Sequence, residues 1–236
     1  MVIAIILFPL RSSPLGAFFL GRGLTQPFTL AIAITVAHYC LLRLLRSGRE
    51  RRLVGRDWIP YGMANLRPSD EDIQILLGLM GGRDTLIGNR LARLLMCFSD
   101  SGSRAIAREL HQDDTALTQA EIEDSFLVTR TMIWVLPMLG FLGTVLGISV
   151  SIGGFSGLLA DVTDLSKVKA GLTQVTGGLS TAFDTTLLGI IWAVACMVLM
   201  SVAERSEYRL AGDLEATIND DLFPRLAQDE TTAAKL

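Results

Sequence analysis

TMIWVLPMLGFLGTVLGISVSIGGFSGLLA, Thr131 to Ala160, runs thirty residues without an Asp, Glu, Lys or Arg. About 20 apolar residues in α-helix cross a bilayer core, so this stretch is long enough to span. Gly140, Gly143 and Gly147 within it are three and four residues apart, which lines them along one helix face. In lipid, helices associate by close packing rather than by a hydrophobic drive, and such small-residue strips let backbones approach. Pro137 does not argue against a helix, because membrane helices tolerate proline. Thr144 lies near the middle of the run. Taken alone it fits a hydroxyl bonding its own backbone one turn back as well as a polar lining group.

Two further stretches share this character. Gly23 to Leu42 carries no Asp, Glu, Lys or Arg, and Ala170 to Ala203 carries one charged residue, Asp184. The 236-residue chain is 50% hydrophobic and 19% charged, below the quarter typical of soluble domains, and its mean hydropathy is +0.44. The expected fold is all-α: a polytopic membrane protein with three transmembrane helices, at 27–46, 130–155 and 176–203, and long helices reaching into the cytoplasm. Residues 1–26 form a hydrophobic or interfacial segment, and a fourth, short span there stays open. The net charge of −3 gives no basic field for nucleic acid. Cys40, Cys97 and Cys196 are widely separated, and so are His38 and His111; no disulfide framework, metal site or cofactor is implied.

Orientation follows from RLLRSGRERRLVGR, Arg43 to Arg56, with six arginines against one glutamate. Positive charge next to a span end marks the cytoplasmic side. Residues 47–129 are then cytoplasmic, 156–175 an outer, periplasmic loop, and 204–236 a cytoplasmic amphipathic tail with Leu210, Leu214, Ile218 and Leu222 every fourth residue. In the region 47–129, Ser69 before Asp70, Glu71 and Asp72 reads as a helix N-cap. Leu86, Ile87, Leu91, Leu94 and Leu95 recur at helical spacing. Thr118 and Glu121 read as a capping box, from which one helix would run through Arg130 into the membrane.

In the third span, Gly178-Leu179-Ser180-Thr181-Ala182-Phe183-Asp184-Thr185-Thr186-Leu187-Leu188-Gly189 brings Ala182, Thr186, Gly189 and Ala193 onto one side. That face suits the glycine strip of the second span. Asp184 points about 160° away from Thr186, nearer Thr181. An aspartate within a span costs about 2.5–3.5 kcal/mol on insertion scales and so faces a bundle interior or an aqueous path. A neutral, hydrogen-bonded structural acid is the competing reading.

Pro137 to Gly147 and Gly178 to Gly189 together resemble the two motifs of the MotA/TolQ/ExbB proton-channel family: a PxLGxLGTVxG-like segment, then a small-residue segment ending in a threonine and a glycine three positions on. The resemblance implies that Thr144 and Thr186 line the ion path. Where related chains often carry a glutamate, this one has Thr181, and Asp184 one turn further in takes over the carboxylate; Thr181 and Thr185 complete an oxygen-rich group that also leaves sodium open. It further implies a homo-oligomer, a pentamer, around an ExbD/TolR/MotB-like single-span membrane protein in the bacterial inner membrane, coupling ion flow to mechanical work. A small-solute transporter and a structural membrane scaffold are the alternatives. An enzyme is the weakest class: no nucleophile–base pair or phosphate loop stands out.

Overall fold

The computed structural model describes residues 25–54, 66–67, 71–81, 85–159 and 165–227. The expectations for residues 1–24, for the Ser69 cap and for Asp161 and Asp164 in the outer loop fall outside them. The described residues form five α-helices: α1 (Thr25–Val54), α2 (Glu71–Gly81), α3 (Leu86–Ser101), α4 (Arg104–Leu159) and α5 (Leu165–Thr217). A π-helical turn, Ile218–Leu222, and a 3₁₀ turn, Phe223–Arg225, follow α5. Among the described residues there is no strand, only an isolated parallel bridge between Leu66 and Leu226. The fold is all-α, and α1, α4 and α5 are each long and apolar enough to cross a membrane.

Local chemistry accounts for the ends. Pro27 sits in the first turn of α1, where no amide partner is lost. Thr85 caps α3, its hydroxyl accepting from the Gly88 amide at 3.1 Å. Gly102 ends α3 with φ 65°, a left-handed conformation that favours glycine, and its amide returns to the Phe98 carbonyl. The chain restarts at once as α4. The capping box expected at Thr118 and Glu121 is therefore not a helix start: α4 begins fourteen residues earlier, at Arg104. Thr118 is interior to the helix, its hydroxyl donating to the Asp114 carbonyl at 2.7 Å. Helix α5 begins at Leu165, so the stretch read as outer loop is largely helical.

The chain divides into two compact units. One comprises Met1–Leu41 with Phe126–Ser201, the other Leu42–Ser125 with Val202–Leu236. The first holds the apolar runs. Its buried residues include Ala33, Val36 and Cys40 of α1, Phe126, Ile133 and Leu136 of α4, and Ala182, Cys196 and Met200 of α5. Tyr39 meets Phe126 edge to face, centroids 6.1 Å apart, and the Cys196 thiol donates weakly to the Ala33 carbonyl at 3.7 Å. Many large apolar side chains stay exposed there, among them Phe141, Phe183, Ile191 and Val194. On a protein in water that would be anomalous; against lipid it is the expected exterior.

The second unit has an ordinary hydrophobic core. Ile73 and Leu76 of α2, Ile87, Leu91, Leu94, Leu95 and Phe98 of α3, and Leu210, Leu214, Ile218, Leu222 and Phe223 at the chain's end bury one another. Leu86 is the one member of the α3 pattern that turns outward, 41% exposed.

Candidate functional site

Glycine sets the distance between α4 and α5. A Cβ placed on Gly140 would stand 2.9 Å from the Thr185 carbonyl oxygen and 3.1 Å from the Thr186 Cα. On Gly147 it would stand 2.7 Å from the Gly178 carbonyl and 2.9 Å from the Ala182 Cβ, and on Gly189 2.8 Å from the Leu136 carbonyl. Contacts this short to backbone atoms leave no room for any side chain. Backbone therefore lies on backbone along three turns, and Ala182 and Ala193 are buried.

That closeness lets hydroxyls reach across. Thr144 Oγ1 lies 3.2 Å from its own-helix Gly140 carbonyl and 3.2 Å from the Ala182 carbonyl of α5. It is also hydrogen-bonded to Thr186 Oγ1, and Thr186 Oγ1 lies 3.1 Å from the Gly140 carbonyl. Each hydroxyl has one proton. Two protons thus face the Gly140 and Ala182 carbonyls and each other's oxygens, and two orders satisfy them. Thr144 can donate to Thr186 while Thr186 donates to Gly140, or Thr186 can donate to Thr144 while Thr144 donates to Ala182 or to Gly140. Rotating both hydroxyls exchanges one order for the other without moving a helix.

The remaining candidates divide. Thr185 is buried against Gly143 and donates to the Ala182 carbonyl at 2.9 Å, so it shares an acceptor with Thr144. Thr181 bonds its own helix, donating to the Gly177 carbonyl at 2.9 Å. Asp184 is half-buried in α5, and helix geometry turns it some 160° from Thr186. Ser151 lies outside both sequence motifs. It is buried, and its hydroxyl lies 3.0 Å from the Gly147 carbonyl and 3.0 Å from the Val175 carbonyl of α5. Its position four after Gly147 continues the strip, and that spacing was the available signal.

The second unit holds a different polar cluster. The Arg90 guanidinium is buried and donates to the His111 carbonyl at 3.3 Å and to the Thr115 and Thr118 hydroxyls. His111 is 2% exposed and packs edge-on against Phe223, centroids 5.6 Å apart. Burial, and then the adjacent Arg90 charge, push its imidazole below the usual value, against weaker pulls from Glu215 and Asp114. Glu207, ion-paired with Arg43 at 3.2 Å, is shifted up by burial despite Arg43 and Arg46. Among the described residues no group of three or more His, Cys, Asp or Glu could hold a metal ion.

Neither curated proteins nor solved structures yield a match to the chain. The family model of the MotA/TolQ/ExbB proton channel family matches residues 83–216, more than half of the chain and the whole of both glycine-lined segments. The glycine-spaced contact, the shared threonine hydroxyls and that match converge: the chain is a multi-pass membrane protein belonging to the MotA/TolQ/ExbB proton channel family.

Proposed function

We propose that the protein is the ring subunit of an ion-driven membrane motor, a homo-oligomer, expected to be a pentamer, in the bacterial inner membrane. It couples proton flow to mechanical work through a single-span partner of the ExbD, TolR or MotB type. The observation that carries the reading is the Thr144–Thr186 hydroxyl pair, whose two hydrogen-bond orders suit a group that passes a proton along a path. Asp184 is the titratable residue of the path, and Thr181 and Thr185 supply further oxygens. A charge crossing 100 mV releases about 2.3 kcal/mol, so several ions per step can support a mechanical stroke.

The test is ion flux into vesicles holding the protein and its single-span partner. Asp184→Asn keeps size and hydrogen bonding but cannot release a proton, so it should abolish proton flux while the ring still assembles. Equal flux from wild type and Asp184→Asn returns Asp184 to a structural role and favours a scaffold. Flux that follows a sodium gradient and ignores a proton gradient replaces the ion but keeps the path.

A further inference from the structure

Gln26 is the only Asn or Gln between Gly23 and Leu42, and it is 5% exposed in the first turn of α1. Neither its Nε2 nor its Oε1 has a hydrogen-bond partner among the described residues. Such a group is rare, because a buried amide left unpaired pays its full desolvation cost. Its surroundings are mixed, apolar over most of their area but with hydroxyl-bearing side chains among them. Gln26 lines a small cavity with Thr25, Thr29 and Thr185 as well as Leu188 and Trp192, and all three threonines are at least nine-tenths buried. The space is about 10 Å³, close to the ~10–15 Å³ that one water requires.

We infer that this cavity is a binding site for one water molecule, which joins the Gln26 amide of α1 to the hydroxyl oxygens of Thr185 on α5 and Thr29 on α1. The donor inventory selects the guest. Thr29 gives its proton to the Thr25 carbonyl at 2.8 Å and Thr185 gives its own to the Ala182 carbonyl at 2.9 Å, so both hydroxyls have lone pairs left to accept. Of the two orphaned atoms of the Gln26 amide, the water engages the Nε2–H donor. Water accepts from the amide N–H and donates to two oxygens, the three bonds usual for a buried water. A monovalent cation would bind the oxygens but leave the amide N–H₂ unpaired, and no carboxylate lines the cavity to balance its charge.

The site extends the polar network beyond the family's matched residues 83–216. It runs from Gln26 through the water to Thr185, on to the Ala182 carbonyl, and from there to Thr144 and Thr186. The water site stands whether or not ions follow the threonines.

The experiment is an electron cryomicroscopy map of the intact assembly that resolves ordered waters, collected for wild type, Gln26→Leu and Thr29→Val. The expected result is a peak within hydrogen-bond distance of the Gln26 side chain and of Thr185 Oγ1 or Thr29 Oγ1. It should be lost in Gln26→Leu and weakened or shifted in Thr29→Val. An empty cavity, or a Gln26 amide bonded to another group of the chain, overturns the inference. So does a peak that strengthens when thallium(I) replaces potassium, which marks a cation, or one that persists unchanged in Gln26→Leu.

Discussion

Gly143 and Thr185 occupy one another's space: a Cβ on Gly143 would lie 2.5 Å from the Thr185 Oγ1 and 2.7 Å from its Cβ. The obstructing side chain is β-branched, stiff at χ1 and buried, so it cannot swing aside.

Gly143→Ala should therefore force α4 and α5 apart. Overpacking of this kind costs about 1–3 kcal/mol, read as a lower melting temperature of the detergent-extracted protein. Gly177→Ala and Gly153→Ala are the controls, since a Cβ at either position meets nothing within 4 Å. Both should be neutral or stabilising by up to ~1 kcal/mol, the helix-propensity difference between the two residues. Equal losses at Gly143 and Gly177 would refute the packing account.

Thr144→Val and Thr186→Val keep shape but remove a hydroxyl each. Either removes the hydroxyl-to-hydroxyl bond, so its direction can no longer reverse, and should lower ion flux on the order of tenfold, the factor that ~1.4 kcal/mol on a barrier represents. Thr144→Ser restores the hydroxyl and should recover most of the flux. Unchanged flux in both valine variants, with the ring intact, would show that the hydroxyl pair only holds helices together.

His111 gives the second unit an acid-sensitive core. Its pKa is lowered in the folded protein, so below the unfolded value of about 6.5 the unfolded chain binds more protons than the native one. Stability is then full above that pH and falls as pH drops through it, by at most ~1.4 kcal/mol per pH unit for one proton. The loss levels off below the folded pKa. His111→Phe preserves an aromatic ring against Phe223 and cannot be protonated, so melting temperature should depend less on pH between about 7.5 and 5. An identical acid limb in wild type and variant would assign the sensitivity elsewhere.

The two long helices and their small-residue faces were legible because their causes are local. Glycine at three- and four-residue spacing, and long runs without charge, carry the information in the chain itself. The false start at Thr118 has a tertiary cause: its hydroxyl and that of Thr115 serve the buried Arg90 guanidinium from α3, a contact that sequence spacing does not announce. The true punctuation, Thr85 before α3 and Gly102 after it, consists of single residues with no pattern around them. Gln26 was unreadable for the same reason. One amide in an apolar run says nothing of the threonine, 159 positions later, that shares its cavity.

The core of the second unit has a consequence for biosynthesis. Phe98 and Ala107 are buried together with Leu210 to Leu226, and backbone bonds between Leu66 and residues Arg225 and Ala227 tie the far end of the chain in place. Both apolar runs of α4 and α5 leave the ribosome between those halves. At ~5–20 residues per second, the faces of α2 and α3 wait roughly 5–20 s for the tail that covers them. The unit can therefore close only after the last apolar run has been made, and until then the leucine-rich faces of α2 and α3 lack the tail that buries them.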